Sequence, residues 1–217
     1  MAHAIDGGTR AFSIDAAGTL LLPRVSVAST YYELARDHGG TRRIEAIAAA
    51  LPDAMRSLRS LRTGDRGWRT YWAAVVERAT GCDAPALVDE LYGHYADPSA
   101  WRLADDALPT LARLRAHGFG IAVISNWDER LRETLEGLGV LEHIDVLSIS
   151  AELGVEKPDA RIFAFTCAEL GVVPFELVHV GDNDEDDIEG ARAAGCQALH
   201  VDRDLGGLAG VLAKLPR

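Results

Sequence analysis

Ala11-Phe-Ser-Ile-Asp15-Ala-Ala-Gly18-Thr19 is a short apolar run that ends in an acid and breaks at a glycine. The pattern predicts a buried strand that stops at a tight loop. Beyond this loop the rhythm changes. From Val25 to about Tyr95, Leu34, Ile44, Ile47, Leu51, Leu58, Leu61, Val75, Val76, Leu87, Val88 and Leu91 recur at three- and four-residue spacings, and no strand pattern interrupts them. Breakers at Gly39-Gly40, Gly64 to Gly67 and Gly81 to Pro85 divide this region into about four helices.

After Trp101 the pattern alternates. Strands are expected at Gly120–Ser125, Ile144–Ser148, Leu177–Gly181 and Ala198–Val201. Helices are expected at Asp105–His117, Asp128–Leu138, Asp159–Leu170 and Asp187–Ala194, with Gly118 and Pro158 as punctuation. Strands alternating with helices imply a parallel sheet covered on both faces. The expected fold is therefore α/β: a Rossmann-like parallel core of five or six strands over residues 11–24 and 97–217, interrupted by an inserted helical cap over residues 25–96.

In open sheets of this kind ligands bind outside the carboxyl ends of the strands. Polar residues stand there: Asp15 after the first strand, Ser125 ending the second, Lys157 after the third and Asp182 after the fourth. A carboxylate such as Asp15 can act as a nucleophile toward phosphorus, although an acid at a strand end more often only caps a loop. Gly18-Thr19 adds a backbone that a ligand can approach closely and a hydroxyl beside the acid. Asp182-Asn-Asp-Glu-Asp-Asp187 packs five acids into six positions. A solvated loop with helix caps is the plain reading of such a run. At a strand end, however, the repulsion calls for a cation, and hard oxygen donors suit Mg²⁺. Ser125-Asn126 has the chemistry of a helix N-cap, and a helix N-terminus also binds phosphate. Lys157 is one of only two lysines, with Lys214, and its point charge at the rim can offset phosphate and carboxylate together.

These four pieces in this order resemble the haloacid dehalogenase superfamily. The motifs are Asp15-Ala-Ala-Gly-Thr-Leu20, Val123-Ile-Ser-Asn126, Lys157-Pro158, and Gly181-Asp-Asn-Asp-Glu-Asp-Asp187 with Gly190-Ala-Arg-Ala-Ala-Gly195 after it. The insert is similar to the family's C1 cap. The resemblance implies that Asp15 is the nucleophile of an aspartyl-phosphate and that Lys157 shares in catalysis. It implies that Gly18, Thr19, Ser125, Asn126 and Lys157 hold the phosphoryl group. Asp15, the Ala17 carbonyl, Asp182 and Asp187 are implied to hold Mg²⁺, Asp187 through water. One position departs from the pattern. The family's phosphatases carry a second Asp two residues after the nucleophile, and here that residue is Ala17, whose side chain can transfer no proton. If another group supplies the proton, Asp128 or a cap side chain is the first to examine.

The expected activity is Mg²⁺-dependent hydrolysis of a small phosphorylated molecule. The alternatives are 2-haloacid dehalogenation and a binding protein that retains the pocket. Phosphonoacetaldehyde hydrolysis is excluded, because it needs a cap lysine and residues 25–97 contain none. The net charge of −11 argues against nucleic acid and anionic membrane as partners. Three scattered cysteines, a polar Met1 to Arg10 and no long apolar window predict a cytoplasmic protein without disulfides. Trp68, Tyr71, Trp72, Tyr92 and Tyr95 read as cap core, and Arg24, Arg56, Arg59 and Arg62 as solvated faces rather than substrate contacts.

Overall fold

The computed structural model describes residues 8–62 and 67–213. Met1 to residue 7, part of the Gly64–Gly67 breaker and Lys214 lie outside the described residues.

In chain order the elements are β1 (Ala11–Ile14), β2 (Leu21–Pro23), α1 (Val27–Asp37), α2 (Ile44–Ser57), α3 (Gly67–Thr80), α4 (Pro85–His94), β3 (Trp101–Leu103), α5 (Ala107–Ala116), β4 (Gly120–Ser125), α6 (Arg130–Gly137), β5 (Val146–Ile149), α7 (Ser150–Leu153), α8 (Ala160–Leu170), β6 (Leu177–Gly181), a π-helical turn (Asp184–Glu189), α9 (Gly190–Ala193), β7 (Gln197–His200) and α10 (Ala209–Leu212). The chain divides into two compact units. One runs up to Leu22 and resumes at Leu103; the other is Pro23–Arg102.

The first unit is built on a five-stranded sheet in the order β5-β4-β1-β6-β7, and each adjacent pair is parallel. β1 is central: three of its four residues are apolar, Ser13 being the exception, and all four are buried. Its register decides what lies at the rim. Ile14 is level with Val123 of β4 and with Val180 of β6. Asp15 therefore leaves the sheet beside Gly181-Asp182 on one side and Ser125 on the other. α8 lays Ile162, Phe163 and Cys167 against Ala11, Ile124 and Leu177 of the sheet. Burying a side chain such as Phe163 or Ile162 contributes roughly 1.5–3 kcal/mol.

Several features differ from the sequence expectation: β5 runs over Val146–Ile149 rather than Ile144–Ser148, the short helices α7 and α10 have no counterpart in it, and two further departures bear on the site. β2 and β3 pair as a separate two-stranded sheet, and at three residues each they are too short to show a period. The acidic run is a wide helical turn that begins at Asp184, three residues before the expected helix, with the Asn183 side chain accepting from the Asp186 N–H as its cap.

The second unit contains α1 to α4, with Ile47, Leu51, Tyr71, Val75, Val76, Leu87 and Leu91 buried. The aromatic residues are part of this packing. The Arg62 guanidinium lies 4.3 Å from the Tyr71 ring centre and 4.8 Å from that of Trp68, and it donates to the Tyr71 hydroxyl at 2.7 Å. Arg62 is thus a packing residue of this unit rather than a solvated one. Among the described residues, no helix is long and apolar enough to cross a membrane.

Candidate active site

The loop after β1 is wound tightly. The Ala16 carbonyl accepts from the N–H groups of Thr19, Leu20 and Leu21, and the Asp15 N–H donates to the Val180 carbonyl at 2.8 Å. Gly18 is required twice over. Its φ is +82°, and a Cβ there would stand 2.5 Å from Asp182 Oδ2. Ala17 is exposed in this turn.

The centre of the site is Lys157, 1% exposed. Its Nζ donates to Asp15 Oδ1 at 2.6 Å, to Asp187 Oδ1 at 2.6 Å and to the Ile124 carbonyl at 2.9 Å. All three ammonium protons are thereby used. Asn126 holds the backbone beneath it: Asn126 Oδ1 accepts from Lys157 N–H at 2.7 Å, and Nδ2 donates to the Lys157 carbonyl at 2.9 Å. The Asn126 side chain is therefore occupied in fixing Lys157. The Thr19 hydroxyl donates to Asp182 Oδ1 at 2.9 Å. Ser125 ends β4, buried. The Asp128 carboxylate is buried and gripped by Arg130, Nε to Oδ1 at 2.7 Å and Nη2 to Oδ2 at 2.5 Å.

Asp187 receives three donors. Lys157 and His179 Nε2 meet Oδ1, the latter at 3.1 Å, and the Asn183 N–H meets Oδ2 at 3.0 Å. Gly181 lies directly beneath, where a Cβ would be 2.1 Å from Asp187 Oδ2. Because Asp187 is pinned on both oxygens, it cannot swing aside. Gly181→Ala is accordingly expected to cost about 1–3 kcal/mol of stability, the usual range for an overpacked interior. Urea denaturation measures it, and an unchanged midpoint would mean that the carboxylate has room to move.

The charges are out of balance. Oxygens of Asp15, Asp182 and Asp187 lie within 4.8 Å of one another, and among the described residues one ammonium, that of Lys157, faces them. Burial pushes the Asp15 carboxyl up to about 7; Lys157 opposes this, and the charges of Asp187 and Asp182 add to it. Asp182 is exposed as a residue, yet its carboxyl is crowded against Gly18 and Thr19. That desolvation, with the nearby Asp187 charge, raises it above the usual range. For Asp187 burial also pushes upward, but Lys157 and His179 outweigh it and hold the group well below the usual carboxylate range. Burial alone would pull Lys157 down, and its two carboxylate partners hold it above the usual lysine range. Three clustered hard oxygen donors, two of them strained toward the neutral form, fit a small divalent cation.

Sequence reasoning passed over Ser13 and His179. Both are fully buried, Ser13 Oγ lies 2.8 Å from His179 Nδ1, and the imidazole continues to Asp187. The available signal was a single polar residue inside each of two otherwise apolar strands.

Comparison with known proteins gives concordant results. A family model described as haloacid dehalogenase-like hydrolase matches residues 9–195. Haloacid dehalogenase-like hydrolase domain-containing protein 3 of Bos taurus is 32% identical over 93% of this chain and 84% of its own length. Phosphoserine phosphatase of Thermus thermophilus is 38% identical over 60% of this chain and 52% of its own. Among solved structures, one described as a dehalogenase superposes with a TM-score of 0.78 at 25% identity, covering 98% of this chain and 99% of the other.

Proposed function

This chain belongs to the haloacid dehalogenase-like hydrolase family, and from that premise we propose that it is a Mg²⁺-dependent phosphoryl hydrolase that works through an aspartyl-phosphate at Asp15 on small phosphorylated molecules with good leaving groups. The observation that carries the reading is the Lys157 ammonium bridging Asp15 and Asp187 beside Asp182. The family includes phosphatases of small metabolites, such as the relatives named phosphoserine phosphatase and glyceraldehyde 3-phosphate phosphatase.

Lys157 orients the Asp15 carboxylate and favours its charged form, so that an Asp15 oxygen can attack phosphorus as the bond to the leaving group breaks. The Thr19 and Ser125 hydroxyls would receive the phosphoryl oxygens, with Lys157, whose three protons are engaged, adding its charge beside them; the Gly18 N–H is taken by the Leu21 carbonyl, so Gly18 serves by leaving room. Asn126 serves this by holding Lys157 in place. Asp15, the Ala17 carbonyl and Asp182 would hold Mg²⁺, with Asp187 reached through water. The ion would supply positive charge against the clustered carboxylates and the phosphoryl oxygens. Water then opens the aspartyl-phosphate and releases inorganic phosphate. Residues 23–102 act in this reading as the cap that chooses the substrate.

Calorimetry on wild type and Asp182→Ala tests the metal assignment. The variant is expected to bind Mg²⁺ at least about tenfold more weakly, the low end for a disturbed metal site. Equal affinity would remove Asp182 from it.

Ala17 favours a second reading, hydrolysis of a carbon–halogen bond. Halide departs as an anion and needs no proton from the position that Ala17 occupies. Asp182, a carboxylate facing Asp15, weighs against it. A panel of phosphate esters and 2-haloacids, with and without Mg²⁺, separates the two: halide release independent of Mg²⁺ would replace the phosphatase reading.

A further inference from the structure

A second layer of buried polar groups stands behind the carboxylates. Ser13 lies on β1 and His179 on β6, on neighbouring central strands, and both are 0% exposed. They are paired in register, Ser13 with His179, so their side chains project from the same face of the sheet. Phe163 of α8 packs edge-on against the imidazole, with ring centres 5.2 Å apart, and closes the pocket. A histidine in such surroundings must satisfy both ring nitrogens. Nε2 faces Asp187 Oδ1, which already carries the Lys157 ammonium. A carboxylate only accepts, so Nε2 carries a proton and donates. In the neutral ring Nδ1 is then the acceptor, and the Ser13 hydroxyl donates to it.

We infer that His179, held in the Nε2–H tautomer by the Asp187 carboxylate and accepting from Ser13 at Nδ1, is a positioning residue that fixes the Asp187 carboxylate and shares it with Lys157. The inference rests on the phosphoryl-hydrolase reading only for its effect on turnover; the tautomer and its effect on the carboxylate site stand apart from it. The reason is competition at one oxygen. Asp187 Oδ1 accepts from both Lys157 and His179. While His179 donates, part of the oxygen's charge is taken up by the imidazole, and Lys157 remains divided between Asp187 and Asp15. Without that donor, Asp187 keeps the Asn183 N–H and Lys157, draws Lys157 more strongly, and can shift toward it. Lys157 then leaves Asp15, and the carboxylate triad loses its spacing.

Outer partners of this type commonly matter by about 10–100-fold in metal affinity or activity. His179→Leu, which keeps the buried volume and deletes the donor, is expected to lower Mg²⁺ affinity about 10–100-fold and kcat similarly, with KM little changed. His179→Gln retains an N–H in the Nε2 position and is expected to recover most of both. A residue that merely filled space would show no such recovery by Gln over Leu. Should His179→Leu not fold, Ser13→Ala replaces it: the imidazole loses the partner that steadies Nδ1, and Mg²⁺ affinity is expected to fall severalfold.

The first measurement is long-range ¹H–¹⁵N correlation on metal-free wild type, which reads the tautomer directly. A proton on Nδ1 instead of Nε2 overturns the inference, as does equal Mg²⁺ affinity in wild type, His179→Leu and Ser13→Ala. If wild type shows the expected tautomer and the variants lose Mg²⁺ while no phosphate ester is ever turned over, the phosphoryl-hydrolase reading fails and the positioning role remains.

Discussion

Ala17→Asp is expected to raise alkyl-phosphate hydrolysis by at least about tenfold over wild type, and by up to about 10²–10⁴ if the new carboxyl is well placed, the usual contribution of a positioned general acid. The low end corresponds to about 1.4 kcal/mol of barrier. Ala17 is exposed in the turn after Asp15, so a longer side chain there meets solvent and not a packed core. The gain falls on poor leaving groups, because an alkoxide needs a proton as its bond to phosphorus breaks. Aryl and acyl phosphates depart without that help, and their first step is expected to change little. The same carboxyl would also take a proton from the water that opens the aspartyl-phosphate. Wild type is thus expected to turn over p-nitrophenyl phosphate or acetyl phosphate slowly, to accumulate phosphorylated Asp15, and to leave alkyl phosphates nearly untouched. Steady-state kinetics on one alkyl and one aryl ester at saturating Mg²⁺, with rapid-quench trapping of labelled phosphate, reads all three. Efficient alkyl-ester hydrolysis by wild type would show that another residue supplies the proton. Asp128 is poorly placed for that, since Arg130 holds both its oxygens. A folded Ala17→Asp with no gain on either ester would mean that the absent carboxyl does not limit this site.

Lys157→Met is expected to destabilise the protein by roughly 3–5 kcal/mol, the range seen when one partner of a buried ion pair is removed. The methionine fills the volume, so the cost is electrostatic: Asp15 and Asp187 lose their shared cation while both remain desolvated. For a chain of this length that corresponds to a fall in Tm of roughly 6–20 °C. Turnover is expected to disappear, because the carboxylate at position 15 loses its orienting partner. Thermal unfolding without Mg²⁺ measures the stability. Adding Asp187→Asn to the same protein should recover part of the loss by removing one of the two opposed charges. A Tm within about 2 °C of wild type, well under the range expected for a lost buried partner, would show that the carboxyls simply take up protons, and the electrostatic account of the site would be wrong.

Much of the core was legible because its strands are short, apolar and punctuated. Gly120–Ser125 and Leu177–Gly181 occur where the residues place them, and β1 ends one residue before Asp15. α1 to α4, among the described residues, were likewise visible from the spacing between Val25 and about Tyr95. β2 and β3 were not, since three residues are too few for a period. The early start of the helical turn at Asp184 was hidden for another reason: a run of acids reads as solvated loop, and only the Asn183 cap and the hydrogen bonds to Asp187 convert it to helix. The candidate site was legible to the extent that strand ends are legible, which brought forward Asp15, Ser125, Lys157 and Asp182. Ser13 and His179 were passed over because a lone polar residue in a strand carries no spacing signal.

Taken by itself, the chain's sequence determined the alternation of strands and helices, the polar residues that stand at the strand ends, and the lack of an acid at position 17. Those are local properties, set by side-chain chemistry and by periods of two and 3.6 residues. Only the tertiary structure decided that β1 lies between β4 and β6, that Lys157 spends its three protons on Asp15, Asp187 and Ile124, and that Asn126 holds Lys157. Lys157 and Asp15 are 142 residues apart in the chain. Whether such groups meet, and what charge each then carries, depends on distance and desolvation across paired strands, quantities that no local pattern encodes.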